Sequence, residues 1–358
     1  MSNSTGGSAE RRALEILRAL ILTPSAPHDD KKPIIEKAIG PLEGSGFECE
    51  IVGEDRSPAL IAHRGEGGIL LSGHLDTVPL GDGWKTEQGE LRGPSLYGRG
   101  AADMKGGCAA MLMAAERSAE ADVPISIAFT TDEETGMRGA EHLAKHRAVK
   151  GAAAIVVCEP TSMKVGVREK GLLQIRITAT GRSAHAAMPR EGENAVHKML
   201  SALEKIRPMT GLPDDPMADM TMSVSVMRGG EKVNVIPDSC VAEIDIRTPP
   251  DVQPDAALAT VRGRLAGTDL DLQVINQLSP IVLPEDSPLM RKVSALQPGI
   301  GRMDIAYATE LVKFSALKVD MLAIGPGDPK CAHRTDERIE VREVAEAADL
   351  YSRLCAAP

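Results

Sequence analysis

Apolar residues recur at helical spacing through AERRALEILRALILT, which stops before Pro24 and Pro27, so the chain is expected to open on a helix. DDKKPIIEKAIGPLEGSG predicts a second helix, followed by short strands around FECEIVG and ALIAHRG. The pattern then changes in kind. GILLSGHLDTVP, VPISIAFTT and AAAIVVCEPT each hold a nearly continuous apolar run that ends in polar residues, with helices expected between them in MKGGCAAMLMAAERSAEA and MRGAEHLAKH. Strands that are apolar on both faces and alternate with helices predict an α/β layer around a mostly parallel sheet.

After about residue 170 the strands become half-exposed. KGLLQIRITATG alternates apolar and polar positions, NAVHKMLSALEKIRPM reads as a helix, TMSVSVMRGG and SCVAEIDIRT as strands, DAALATVRGRLAG as a helix and LDLQVINQ as a strand. That βαββαβ order is the signature of a small α+β sandwich. From about residue 285 a helix, strand and helix return in SPLMRKVSALQ, DMLAIGPG and VREVAEAADLYSRLC. The simplest plan is an α/β domain interrupted by an inserted α+β domain.

A chain of 358 residues, 42% hydrophobic, is long enough for two cores. The formal charge of −10 comes without any Lys/Arg block, and aromatics are 2% of the chain. Nucleic acid therefore drops out as a partner. No apolar window is long enough to span a bilayer and MSNSTGGSAERR lacks the pattern of a signal peptide, so a soluble, cytoplasmic protein without membrane partners is expected. Cys49, Cys108, Cys158, Cys240, Cys331 and Cys355 are scattered, which predicts reduced thiols and argues against a thiolate metal site.

The candidate chemistry sits where the buried strands end. His74 and Asp76 follow the first, Glu133 and Glu134 the second, Glu159 the third, with Asp103 at a helix start between the first two and His333 after the last strand. In open α/β sheets the carboxyl ends of the strands face one crevice, so these side chains are expected to converge. Two imidazoles and three carboxylates suit zinc, and a two-metal site needs one shared carboxylate. The set divides naturally: His74 and Glu159 for one ion, Glu134 and His333 for the other, Asp103 between them. Asp76 is placed to receive the other ring N–H of His74 and fix its tautomer. Asp132 reads as a turn residue. The glycines of GRGAADMKGG are misspaced for a phosphate-binding loop.

GHLDTVP, YGRGAADMKGG, TTDEETG, CEPT, GRSAHAAMP, VNVIP and AHRTDE, in that order, resemble the M20 metallopeptidase and deacylase family, which includes acetylornithine deacetylase and succinyl-diaminopimelate desuccinylase. The resemblance implies a di-zinc, aminopeptidase-like catalytic domain over 1–168 and 276–358, and a lid and dimerisation domain over 169–275. It implies two Zn2+, with Co2+ or Mn2+ as substitutes, held by the five residues already grouped. Glu133 becomes the general base, Asp76 the residue orienting His74, and His185 the donor to the transition state, within its chain or across a homodimer. Asn234 and Arg247 become a clamp for a substrate carboxylate.

YATELVKFSALKVDMLAIGPGDPKCAHRTDE looks more like acetylornithine deacetylase than a desuccinylase, because Thr309-Glu310 stand where desuccinylases typically carry Ser-Asp. Glu310 suits a substrate with a distal ammonium group. The expected activity is therefore hydrolysis of a small N-acyl amino acid, N-acetylornithine first and N-acetyl-lysine or carrier-bound lysine as variants, in arginine or lysine biosynthesis. A desuccinylase or M20 dipeptidase or carboxypeptidase is the alternative within the family. A non-catalytic binding protein is the alternative outside it, and its mark would be the loss of a ligand or of Glu133.

Overall fold

The computed structural model describes residues 7–119, 123–207 and 217–356. The chain divides into two compact units. The first takes the chain up to Val167, then Leu283–Met303 and everything from Thr309 onward, and the second takes Arg168–Val282 with Asp304–Ala308.

The sheet of the first unit runs, edge to interior, Glu48–Glu54, Ser57–Arg64, Ile125–Thr130, Ile69–His74, Ala154–Val157 and Asp320–Ala323, and then reaches Val165–Glu169. Ile125–Thr130, Ile69–His74, Ala154–Val157 and Asp320–Ala323 are mutually parallel. The outer pairings are antiparallel. Every residue of Ile69–His74, Ile125–Thr130 and Ala154–Val157 is buried, which is why these runs lack alternation. Ile69–His74 has the next strand of this sheet in chain order, Ile125–Thr130, on one side and Ala154–Val157 on the other. The chain thus switches sides at Ile69–His74, the place where an α/β sheet opens a crevice.

Helix Gly106–Ser118 is buried nearly all round, because the outer helices Ser8–Ile21 and Val341–Ala356 pack against it. Those two are amphipathic instead. Ser8–Ile21 buries Ala13, Ile16, Leu17, Leu20 and Ile21, the three-to-four spacing of a single apolar stripe. Three local details differ from the sequence expectation. The helix expected from Met104 begins at Gly106, after a wide turn Ala101–Lys105 in which Asp103 and Met104 leave helical backbone angles. MRGAEHLAKH yields a short helix, Arg138–Leu143, with a separate turn at Arg147–Lys150. A small antiparallel sheet of Arg338–Glu340, Ser95–Tyr97 and Glu90–Arg92 has no counterpart in the expectation, since three-residue strands carry no periodic signal.

The second unit is an antiparallel sheet ordered Thr221–Gly229, Ser239–Thr248, Gly171–Thr180 and Asp271–Leu278. Helices Ala195–Ile206 and Pro254–Arg264 pack on it. Leu173, Ile175, Ile177, Cys240, Ala242, Ile244 and Met199 form its core, taken from alternate strand positions as a one-sided sheet requires. Asp304 joins this unit and receives Arg168 Nε at 2.7 Å. Among the described residues all six cysteines are free thiols, and no helix is long and apolar enough to cross a membrane.

Candidate active site

His74 is the last residue of its strand and is 1% exposed. Its Nδ1 lies 3.0 Å from the main-chain carbonyl of Asp76. Only the N–H form of that nitrogen makes this contact favourable, so the lone pair of the neutral ring belongs to Nε2. Nε2 points into a group of carboxylates, 3.2 Å from Asp103 Oδ1, 3.7 Å from Glu159 Oε1 and 3.9 Å from Glu133 Oε2. The other oxygen of Asp103 turns to the second histidine, with Oδ2 3.3 Å from His333 Nε2, and Glu134 Oε1 is 2.9 Å from the same nitrogen. Asp103 thus presents one oxygen to each imidazole. His74, Asp103 and Glu134 bring ligand atoms within 4.8 Å of one another, while Glu159 stands next to His74 and His333 next to Asp103 and Glu134.

Asp76 reaches His74 with two groups. Its carboxylate oxygen is 3.5 Å from His74 Nδ1, farther than its own carbonyl, and its carboxylate also accepts the main-chain N–H of Glu133 at 3.2 Å through Oδ1 and of Glu134 at 3.1 Å through Oδ2. Asp76 thus holds the Nδ1 side of His74 and the adjacent glutamates together. Asp132 caps the turn that follows, accepting the N–H of Arg138 at 2.7 Å and of Gly139 at 2.9 Å. Glu159 is brought in by close backbone packing. A Cβ on Gly107 or on Gly325 would come within 2.3 Å of the Cys158 carbonyl oxygen.

The charge balance fits a metal. The carboxylates of Asp103, Glu133, Glu134 and Glu159 share this space with two imidazoles. Burial raises the carboxyls of Glu133 and Glu159 well above their usual range, against the pull of His74 and with added repulsion from the neighbouring carboxylates. His333, the exposed member, is pushed up to about 10 by its bonds to Asp103 and Glu134. A largely buried set with oxygen and nitrogen donors only, short of positive charge, is the composition of a divalent-cation site.

Thr309 and Glu310 are corrected by the structure. Both are fully buried, and the Glu310 carboxylate accepts Thr130 Oγ1 at 2.5 Å and Ser72 Oγ at 3.2 Å, so it braces two parallel strands and offers no surface to a substrate ammonium. Thr309 Oγ1 accepts Leu311 N at 3.2 Å. Burial raises the Glu310 carboxyl from 4.5 to about 7. A carboxyl whose pKa is higher folded than unfolded stabilises the fold fully below the unfolded value and loses that contribution as pH rises through the folded one. Relative to Glu310→Gln, the chelator-stripped wild type is expected to lose roughly 2–3 kcal/mol between pH 5 and pH 8, read from paired urea melts. A pH-independent difference would show that Glu310 is ionised throughout.

In the second unit, His185 and Asn234 are neighbours. Ala186 N donates to the Asn234 carbonyl at 3.0 Å, and His185 bridges Val235. Ala187 N donates to His185 Nδ1 at 3.1 Å, so the neutral ring carries its proton on the exposed Nε2. Arg247 is already engaged, its Nε and Nη2 on Asp245 at 2.8 and 3.2 Å. Any substrate carboxylate would have to share or displace that partner. Two charged residues inside the quoted motifs, Arg99 of YGRG and Glu337 of HRTDE, had no expected role, yet both are buried and bonded beside Asp103. Charged residues within apolar-flanked motifs are the signal that could have found them.

Residues 70–357 match the profile of peptidase family M20/M25/M40. The acetylornithine deacetylase of Proteus mirabilis (strain HI4320) is 32% identical over 372 residues, covering 95% of each chain. A probable succinyl-diaminopimelate desuccinylase of Staphylococcus epidermidis is 28% identical over 345 residues, covering 83% of this chain and 85% of its own. The crystal structure of a Bacillus subtilis protein, described as a dinuclear metal binding peptidase from the M20 family, has a TM-score of 0.68 over 97% of this chain and 98% of that one, at 15% identity. A profile match of that extent, together with a relative of that identity along nearly the full length, shows that the chain belongs to peptidase family M20/M25/M40 and is a metal-dependent amidohydrolase.

Proposed function

We propose that the chain hydrolyses the amide bond of a small N-acyl amino acid, N-acetylornithine or a close analogue, at a di-zinc centre. One observation carries the centre: the two oxygens of Asp103 divide between His74 and His333, the geometry of a carboxylate shared by two ions. His74 and Glu159 would hold one, Glu134 and His333 the other. The bound pair would supply an activated water and polarise the acyl carbonyl.

The chain's own groups do the rest. Glu133 stands beside the ligand Glu134, its carboxylate held among the others and out of bulk water, where it takes the proton of the attacking water and returns it to the departing amine. Asp76 keeps that carboxylate in place by gripping the two glutamate amides. His185 Nε2–H donates to the oxyanion of the tetrahedral state, a role in which one preorganised donor typically contributes about 3 kcal/mol. Asn234 and, once released from Asp245, Arg247 bind the substrate carboxylate, for which the guanidinium fork is suited.

The first unit is taken as the catalytic domain and the second as a lid and dimerisation domain; the boundaries expected after 168 and before 276 fall instead after Val167 and before Leu283, with Asp304–Ala308 also in the second unit. The edge strand Thr221–Gly229 exposes Val224 and Met227, an apolar edge that pairing with a second copy would cover. Buried free thiols, Cys108, Cys158, Cys240 and Cys355, suit a reducing cytoplasm.

With Glu310 withdrawn, substrate choice rests on the GPGD…AH stretch and on the names of the relatives. The desuccinylase relative keeps N-succinyl-diaminopimelate as the second reading. Rates on N-acetylornithine, N-acetyl-lysine, N-succinyl-diaminopimelate and dipeptides, measured side by side, should show kcat/KM at least about tenfold higher for the first, the discrimination that about 1.4 kcal/mol provides. A higher value for the succinyl substrate would transfer the assignment. Absence of zinc, cobalt and manganese from active protein, with no response to chelator, would reject the metal chemistry itself.

A further inference from the structure

We infer that the buried ion pair of Arg99 and Glu337 is a positioning device that ties the turn bearing Asp103 to the loop bearing His333 and so sets the two sides of the metal centre against each other. The inference rests on the site proposed above. Glu337 is 1% exposed and Arg99 8%, and Arg99 Nη1 donates to Glu337 Oε2 at 2.8 Å. The second oxygen, Oε1, accepts two consecutive main-chain N–H groups, those of Ala102 and Asp103, each at 3.0 Å. These two bonds fix the peptide plane from which the Asp103 side chain springs.

At the other end, Arg99 Nη1 also donates to the carbonyl of Arg334 at 3.1 Å and Nη2 to that of Leu80 at 3.2 Å, while the guanidinium carbon lies 5.2 Å from the centre of the Trp84 ring. Arg334 follows His333, whose backbone is left-handed at φ 60. Holding the next carbonyl keeps that conformation in place. Main-chain pairing supports both ends. Arg338–Glu340 lies on Ser95–Tyr97, and Gly98 N donates to the Glu337 carbonyl at 2.9 Å.

Energetics favour placement over stabilisation as the purpose. Desolvating two charges offsets most of their attraction, so a buried pair adds little net stability compared with well-packed apolar side chains. This pair instead spends its hydrogen bonds on four main-chain groups, three of them at or beside two proposed ligands. Partners that orient ligands in this way commonly govern metal affinity by roughly 10–100-fold.

The test uses the full chain, stripped with chelator and titrated with Co2+ alone, with visible absorption and calorimetry as readouts. Wild type should take up two ions. Glu337→Gln keeps the shape but weakens the charged acceptor that Asp103 and Arg99 share, and should loosen both ions, roughly 10–100-fold in affinity. Arg99→Lys keeps the charge but loses the guanidinium fork that reaches Glu337, Arg334 and Leu80 together, and should loosen one ion more than the other. Metal-free melting curves within a few degrees of wild type show that folding is not the cause, and where one variant does not fold, the other carries the test. Affinities within twofold of wild type in a folded variant overturn the inference. A wild type that binds no Co2+ overturns instead the site on which it rests.

Discussion

Glu133→Gln is expected to lower kcat by about 10²–10⁴-fold while the protein keeps its full metal content. The two neighbours in the sequence have different surroundings. Glu134 Oε1 lies 2.9 Å from His333 Nε2 and belongs to the tight group with His74 and Asp103, whereas Glu133 stands outside that group, its Oε2 3.9 Å from His74 Nε2, beyond hydrogen-bond reach of the ring. Burial and the surrounding carboxylates raise the proton affinity of Glu133 well above that of a free glutamate, which suits a base that must hold a proton through the reaction. Glutamine preserves the volume and the main-chain bonds to Asp76 and removes only the basicity. Turnover of an N-acetyl amino acid, measured together with metal content by atomic emission, checks the assignment. Glu134→Gln should show the contrasting pattern of metal lost along with rate. Full activity in Glu133→Gln would move the base elsewhere.

The parallel strands were legible because burial on both faces leaves uninterrupted apolar runs, and the strand ends could be located as the points where those runs stop. That is enough to bring His74, Glu133, Glu134 and Glu159 to one side of a sheet. It does not tell how a polar group is satisfied once there. Asp76 two residues after His74 suggests a side-chain partner for the ring, and the structure sets the carbonyl of Asp76 at 3.0 Å beside its carboxylate at 3.5 Å, a main-chain acceptor that no sequence pattern announces. Glu310 resembled a ligand-facing acid since nothing in TEL shows that Ser72 and Thr130 stand opposite it; those partners come from two other strands. Arg99 and Glu337 were out of reach for a similar reason. Their meeting depends on Arg338–Glu340 pairing with Ser95–Tyr97, and three-residue strands leave no pattern to read.

Chelation is expected to lower the unfolding temperature of the first unit by roughly 10 °C, and Asp103→Ala to abolish most of that response. An ion present at about 100 times its Kd stabilises the folded state by about 2.7 kcal/mol, so two independent sites add roughly 5 kcal/mol. For a unit of about 150–250 residues each kcal/mol moves the melting point by about 2–4 °C. Asp103 is the sensitive position because its oxygens face different histidines, Oδ1 at 3.2 Å and Oδ2 at 3.3 Å, so its loss weakens both sites at once. His333→Ala, on the half-exposed side, should remove only about half of the response, since His74, Asp103 and Glu159 are left to hold one ion. The measurement is differential scanning calorimetry of wild type and both variants, with excess Zn2+ and with chelator. Equal losses in the two variants would mean that the ions bind as one cooperative unit, with Asp103 serving as one ligand among several. An unchanged wild-type melting point on chelation would mean that these carboxylates are balanced by protons instead of metal, and the shared-carboxylate geometry would then carry no metal chemistry.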